Sequence, residues 1–359
     1  MLSPIDEDSR LLIIQPVFPY FLKTKLETLD EATRTALREG FKKHYQGLAG
    51  YYKQLMDSKD AQERQLGIFF CRLEYENLYN ALQICLEKQE SISIYFCLDK
   101  YFELISDNKS NLKLAGTVCQ CLDNYPSGFI KGELDYQIAF AVERLGICQQ
   151  NAQQYQQARQ TYEKALTISD VIDGVEERQK QIWKATYYGH LGNVAQELRE
   201  FEEARRNYQQ ALDIKIKYGD RYSCARPYHN LGSVAKELGE FEEARRNYQQ
   251  ALEIFIEYGD RYSCASTYHQ LGNVAEELGK LESAKANYLQ ALHIWVEFND
   301  QHSLGISLCN LARFYQVTQD ESLLAAVSDI WGMSLEEVRQ LFEQVMEMWD
   351  DNSGDFQKN

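Results

Sequence analysis

Proline is scarce. The 359-residue chain has five, and three of them, Pro4, Pro16 and Pro19, fall within the first twenty residues. A body nearly free of proline suits long helices, because an interior proline removes a backbone hydrogen bond and clashes with the preceding turn. Basic excess is missing too. Thirty-eight Lys and Arg stand against 54 Asp and Glu, a net charge of -16, and no Lys/Arg cluster lacks interleaved acids. Nucleic acid and anionic membrane are therefore poor candidates for the main partner. The apolar run Leu11–Ile14 is too short to span a bilayer, and the opening Met1–Asp8 is acidic where a signal peptide would be basic. A soluble, cytoplasmic protein is expected. The nine cysteines form no paired framework: there is no CxxC, Cys119 and Cys121 are one residue apart, and Cys224 and Cys264 are copies of each other. Reduced thiols fit that pattern.

Internal repetition is abundant, and it decides the fold. The string FEEARRNYQQAL occurs at 201–212 and again, unchanged, at 241–252; YGDRYSCA occurs at 218–225 and 258–265, both offset by 40 residues. Leu191-Gly192, Leu231-Gly232 and Leu271-Gly272 keep the step, and Leu311-Ala312 continues it with the glycine replaced. Leu145-Gly146 lies 46 residues before Leu191-Gly192, and the six extra residues fit a longer loop around Asp170–Lys180.

Each unit reads as two helices. Tyr228, Leu231, Val234, Ala235 and Leu238 make one apolar stripe over Arg226–Leu238, and Gly239 ends it as a left-handed cap. Phe241, Ala244, Tyr248, Ala251, Leu252 and Phe255 make a second over Glu240–Tyr258. Small residues at Gly232, Ala244 and Ala251 let the backbones approach, while Tyr228, Phe241 and Tyr248 fill the gaps between units. Such a pair cannot bury its stripe alone, so stacking stabilises it. Pro227 falls early in its helix, where sister copies have Tyr187 and Thr267, and is tolerable in the first turn if Ser223 caps the helix.

Leu-Gly followed by Ala, Tyr and Ala at these spacings resembles the tetratricopeptide repeat. The matching residues are Leu145, Gly146, Ala158, Tyr162 and Ala165; Leu191, Gly192, Ala204, Tyr208 and Ala211; Leu231, Gly232, Ala244, Tyr248 and Ala251; and Leu271, Gly272, Ala284, Tyr288 and Ala291. Tyr188, Tyr228 and Tyr268 stand where the family often has Trp. The 40-residue step resembles the kinesin-light-chain-like branch. Ala195, Ala235 and Ala275 replace an aromatic, and Gly-Asp or Asn-Asp replaces the usual closing Pro. The resemblance implies an all-α, right-handed superhelical solenoid of antiparallel helix pairs.

The expected organisation is an extended apolar segment over 1–26, a non-repeating helical region over 27–135, an array of about five repeats over 136–330 with the last degenerate, a capping helix over 331–350, and a disordered tail over 351–359. Within the helical region Glu27–Met56 and Ala61–Glu87 are amphipathic runs, Ile92–Ser106 and Leu112–Leu122 a further pair, and Asn124–Gly128 a turn. Ser334-Leu335-Glu336-Glu337 is a capping box that opens the last helix. Phe41–Ala49 and Leu73–Leu82 are similar to helical segments that follow the winged helix in bacterial STAND-type signalling ATPases, and Leu11–Leu22 resembles the end of such a winged helix. With no GxxxxGK[ST] in the chain, the resemblance implies a sensor half whose nucleotide-binding or effector domain is supplied by another chain.

Catalysis has little to stand on. The six histidines are scattered; His229 and His269, one repeat apart, would sit roughly 10 Å from each other at helix-packing distances, too far to share a metal. Acid pairs such as Glu202-Glu203 precede Arg205-Arg206 and read as a solvated helix face. No metal, cofactor or enzymatic activity is expected. The resemblance instead implies a concave groove lined by the first helix of each pair. Its candidate residues are Asn193 and Asn273 with Ser233 between them, the row His190, Asn230, Gln270 and Asn310, the pair His229 and His269, and Arg226, Lys236 and Glu276. Amides can bond both the N–H and the C=O of an extended peptide; the same residues could equally bridge adjacent helices. The expected partner is a protein or peptide, and the expected role an adaptor or sensor. The alternatives are a two-sided scaffold and a receptor that changes pitch on binding a signalling peptide, like quorum-sensing repeat receptors.

Overall fold

The computed structural model describes residues 2–4, 12–14, 28–125, 133–172 and 175–356. Among them are sixteen α-helices and two short strands, β1 (Leu2–Pro4) and β2 (Leu12–Ile14), paired antiparallel with Leu2 opposite Ile14. Within the N-terminal segment expected to be extended, Leu12–Ile14 form β2, while residues 1, 5–11 and 15–27 lie outside the described residues. Two compact units divide the chain, one of residues 1–154 with 172–174, the other of 155–171 with 175–359. That boundary falls later than the expected 135/136, inside the first copy of the repeat. No described helix is long and apolar enough to cross a membrane.

The first unit holds α1 (Glu31–Met56), α2 (Ala61–Leu73), α3 (Tyr75–Glu87), α4 (Ser93–Leu104), α5 (Asn108–Leu122) and α6 (Glu133–Asn151). Leu78, Leu82, Ile94, Tyr95, Leu98, Val118 and Val142 are buried at its centre. The run 61–87, expected as one helix, is broken at Glu74. The Glu74 carboxylate accepts from Tyr45 Oη (3.0 Å) and Asn77 Nδ2 (2.7 Å), which holds the residue out of helical geometry at φ -99°, ψ 11°. At the expected turn Asn124 and Tyr125 leave the helix; residues 126–128 lie outside the described residues.

The second unit stacks helix pairs. Its elements are α7 (Tyr155–Val171), α8 (Glu177–Glu197), α9 (Phe201–Lys217), α10 (Ala225–Glu237), α11 (Phe241–Glu257), α12 (Arg261–Glu277), α13 (Leu281–Phe298), α14 (Gln301–Thr318), α15 (Glu321–Trp331) and α16 (Leu335–Phe356). Three pairs, α8/α9, α10/α11 and α12/α13, close by one device. A Cβ on Gly192, Gly232 or Gly272 would lie 2.4–2.8 Å from the ring of Tyr208, Tyr248 or Tyr288. Those rings are 0–1% exposed, so each glycine is a seat for a buried ring.

The copied strings are bolts between copies. Arg159 pairs with Glu200 and Arg205 with Glu240. Arg205 therefore reaches forward to the next copy, not back to Glu202 as the i+3 spacing suggested. Where the next partner would be Lys280, Arg245 does turn back, to Glu242 at 2.8 Å. In the YGDRY strings, Tyr222 Oη donates to Asp260 (2.9 Å) and Tyr262 Oη to Asp300 (2.9 Å), while Arg221 meets Glu257 (2.7 Å) and Arg261 meets Glu297 (2.5 Å). Asp260 and Asp300 also cap α12 and α14, accepting from Ser263 and Ser303 backbone N–H.

Pro227 is absorbed differently from the sequence expectation. Asp220, not Ser223, accepts the capping bond, from Ser223 N at 3.2 Å. Residues Tyr222–Cys224 form a 3-10 turn before α10, whereas the sister helix α12 is α-helical from Arg261. Proline has no N–H for the Ser223 carbonyl, so the preceding turn tightens and Pro227 becomes the third residue of α10. At the far end, Ser334 and Glu337 form the expected capping box, with Ser334 N to Glu337 at 2.7 Å and Glu337 N to Ser334 Oγ at 3.3 Å. Helix α16 then runs to Phe356, through most of the expected tail.

Between helices of a pair the chain turns through a left-handed residue: Gly239 (φ 77°), Gly279 (φ 69°), and in the equivalent place Arg199 (φ 59°). A side chain there costs about 1 kcal/mol against glycine. Arg199→Gly is expected to raise the unit's melting temperature by about 2–4 °C, read by circular dichroism. Gly232→Ala should destabilise the unit through overpacking against Tyr248, by about 1–3 kcal/mol in a denaturant titration.

Candidate partner-binding face

The first helices of successive pairs, α8, α10, α12 and α14, present one polar face. On α10 it runs through Arg226, His229, Asn230, Ser233 and Lys236, the i, i+3, i+4, i+7, i+10 series of a single helix side. The sequence candidates fall on this face, and most of them bond across to the next helix. Asn230 Nδ2 donates to Asn193 Oδ1 (3.4 Å), Lys236 Nζ to Gln270 Oε1 (3.2 Å), and Asn310 Nδ2 to His269 Nε2 (2.9 Å). His229 Nδ1 meets Thr267 Oγ1 at 3.1 Å; that hydroxyl spends its proton on the Ser263 carbonyl (2.9 Å), so the imidazole is the donor. His190 stacks on Tyr162, ring centroids 4.8 Å apart. Gln270 also receives Asn273 Nδ2 at 3.5 Å. The bridging alternative therefore describes these amides in the free protein. Arg226 differs: it is exposed and makes no hydrogen bond or ion pair among the described residues.

Beneath the face lie residues that sequence reasoning read only as core. Tyr208 Oη donates toward Asn193 Oδ1 (2.7 Å) and Gln196 Oε1 (3.1 Å); Tyr288 Oη has Asn273 Oδ1 (2.8 Å) and Glu276 Oε2 (2.9 Å). In the middle copy both acceptors are changed, to Ser233 and Lys236. Tyr248 Oη is buried, and no group meets it at hydrogen-bond distance and angle, although Ser233 lies near enough to ease the phenolate slightly. Burial pushes the Tyr248 phenol well above its ordinary range. The signal was present in the sequence as Asn-Ser-Asn at 193, 233 and 273 and Gln-Lys-Glu at 196, 236 and 276, but only the buried ring gives it meaning.

Charge on the face is uneven. Arg313 grips Glu276 through two bonds of 2.6 and 2.8 Å, quenching that acid. Among the described residues, the acid within ion-pair distance of Lys236 is Glu237, at 3.8 Å. Lys215 of α9, half-buried where later copies carry Phe255 and Trp295, makes no hydrogen bond or ion pair among the described residues; burial, with repulsion from Arg226, holds its ammonium below the usual range. Among the described residues, no three His, Cys, Asp or Glu side chains gather to hold a metal ion. All nine cysteines are free.

Stacked helix pairs sharing one polar face define a helical repeat solenoid. Residues 141–168, 183–257 and 265–294 match models of the tetratricopeptide repeat, so this stretch of the chain is a tetratricopeptide-repeat array. Among solved structures, the apo form of RapI is 15% identical, with 74% of this chain and 98% of that one covered at a TM-score of 0.55. The Rap protein complexed with Competence and Sporulation Factor is 15% identical, covering 85% and 79% at 0.52. BtubC (BKLC) of P. vanneervenii is 18% identical, covering 68% and 91% at 0.49. At these identities the likeness is one of fold. No curated protein matches the sequence.

His229 and His269 are pushed down to about 4, chiefly by burial, with repulsion from Arg226 and Lys236 on the first and from Lys236 on the second. Their ordinary value lies near 6.5, so between about pH 6.5 and 4 the unfolded chain binds protons that the folded one refuses, and stability falls as pH is lowered through that window. At pH 5 the loss reaches about 1–2 kcal/mol per imidazole relative to pH 7. Thermal melts from pH 7 to 5 should show it, and a His229→Gln, His269→Gln double variant should show a shallower decline.

Proposed function

We propose that the repeat array is a protein-interaction module that holds a peptide or helix of a partner across the face of α8, α10, α12 and α14. One observation carries this reading. The second helices α9 and α11 repeat FEEARRNYQQAL unchanged, while residues on the first-helix face of the same two copies change: Thr186 to Arg226, His190 to Asn230, Asn193 to Ser233 and Gln196 to Lys236. Copying without change is what inter-repeat packing requires; freedom to vary is left to side chains that packing does not specify. Arg226, exposed and unbonded, is the clearest member. The Rap protein of similar fold is known in complex with Competence and Sporulation Factor, which is compatible with a repeat array of this kind receiving a signalling factor. The similarity of Phe41–Ala49 and Leu73–Leu82 to segments of STAND-type ATPases makes a nucleotide-binding or effector chain the partner class to examine first, with the array as its cytoplasmic sensor or adaptor.

The test is comparative capture from native lysate with wild type and Arg226→Ala, Asn230→Ala. Arg226 supports nothing internally and Asn230 makes one long bond, so this variant should melt within about 2 °C of wild type. Asn193 and Asn273 are left alone because they satisfy buried tyrosines. The expected result is a partner retained by wild type and reduced at least fivefold by the variant. A partner held equally by both would remove the face from consideration.

A further inference from the structure

Position 215, in the last turn of α9, breaks the copied pattern inside the stack. Its counterparts in the next two copies, Phe255 and Trp295, are 8% and 5% exposed and belong to the apolar core that runs through successive copies. Trp295 is covered by the ring of Tyr262, with centroids 5.0 Å apart. In the earlier copy the slot holds Lys215, and the adjacent Ile214 is half-buried where Ile254 and Ile294 are buried. Tyr222, the counterpart of Tyr262, keeps the other ring contact of that site, Tyr258 at 5.3 Å in place of Phe298 at 5.6 Å, and has no ring at 215 to cover. Lys215 makes no hydrogen bond or ion pair among the described residues. Burial is the largest influence on its ammonium and disfavours it. Asp220, beyond the helix end, and Cys224, in the 3-10 turn, oppose that, and Arg226 on α10 adds repulsion; the balance lies below the usual range. A slot that is apolar in its sister copies thus holds a charge that no partner answers.

We propose that Lys215 is a modification site: a small acyl phosphate acylates its Nζ, and the amide so formed fills the slot that Phe255 and Trp295 fill in the later copies. Lys215 lies on a second helix, so the site is independent of whatever the first-helix face holds. Only the neutral amine is a nucleophile, and a half-buried lysine without an ion pair reaches that form more readily than an exposed one. The ammonium first loses a proton to water. Nζ then attacks the acyl carbon, the C–N bond forms, and the C–O bond to phosphate breaks with its electron pair leaving on the phosphate, which takes up the second N–H proton. No electrons are exchanged with an outside group. Acylation removes the positive charge and extends the aliphatic stem. Both changes move position 215 toward the character of its counterparts, and both remove the repulsion from Arg226, so the acylated chain is the more stable where α9 meets α10. Lys217 supplies an internal reference: it is exposed, two positions further along α9, with its ammonium 5.4 Å from the centre of the Tyr218 ring.

The test treats the full chain with acetyl phosphate at pH 7 and at pH 10 and follows the acetylation of each lysine by mass spectrometry. At pH 7 Lys215 is expected to take up label about fivefold faster than Lys217 or more, and the ratio should shrink by pH 10, where exposed amines near their ordinary value of about 10.4 become neutral as well. Protein carrying an acetyl group at Lys215 alone should melt about 2–4 °C above the unmodified chain. Lys215→Met, uncharged and of similar reach, should do the same, whereas Lys215→Arg, which keeps the charge, should not. Labelling of Lys215 no faster than that of Lys217 at pH 7, or a ratio that rises toward pH 10, overturns the site. Fast labelling with a melting temperature left unchanged or lowered by the acetyl group overturns the part given to the slot.

Discussion

A tyrosine ring seated on a glycine closes each of the three copied helix pairs, and the rest of the second unit depends on that close approach. The glycine admits no Cβ, so the second helix comes near enough for the ring to be buried almost completely. Burying the ring carries its hydroxyl toward the first helix, where it must find an acceptor. The residues at 193 and 196, and their copies at 273 and 276, are therefore not free surface positions; they answer for a core residue. Packing and the chemistry of the exposed face are coupled through a single O–H in each copy.

Between copies the forces are of a different kind. Arginine–carboxylate and tyrosine–aspartate pairs recur at the repeat interval, and two of those aspartates also cap the next helix. Exposed ion pairs individually contribute little, about 0–1 kcal/mol. Their value in an array is in register: each links a defined residue of one copy to a defined residue of the next, while the buried Leu, Val and Ala side chains supply the area removed from water. The unchanged strings in the sequence, conspicuous as they are, supply part of this bolting.

The free protein keeps its polar face in order by having the face bond to itself. Amides and imidazoles bridge neighbouring first helices, which fixes their orientation. The neutrality of His229 and His269 follows from their burial, reinforced by nearby cations. Arg226 stands outside the network, and Tyr248 lies under it opposite Ser233 and Lys236, which replace the acceptors of the outer copies; both are in the middle copy, where the first helix also begins with the 3-10 turn forced by Pro227.

The repeat, its 40-residue step, the two helices of each copy, the left-handed glycine between them and the capping box at Ser334 were all legible in the sequence, because periodicity and turn chemistry are local and copied. Other features depended on tertiary contacts. The break at Glu74 falls where its carboxylate is held by Tyr45, 29 residues away, as well as by the local Asn77. Arg205 chose Glu240 over the nearer Glu202 because the next copy brings its carboxylate closer than the arginine's own helix does. Asn230, Gln270 and Asn310 could be placed on one face from spacing, but whether they bridge helices or stand free depends on distances between helices that no linear pattern contains. Tyr248 shows the division most clearly: its place in the repeat follows from sequence alone, whereas the change of acceptors has a consequence only because folding buries its hydroxyl opposite two residues that lie twelve and fifteen positions before it.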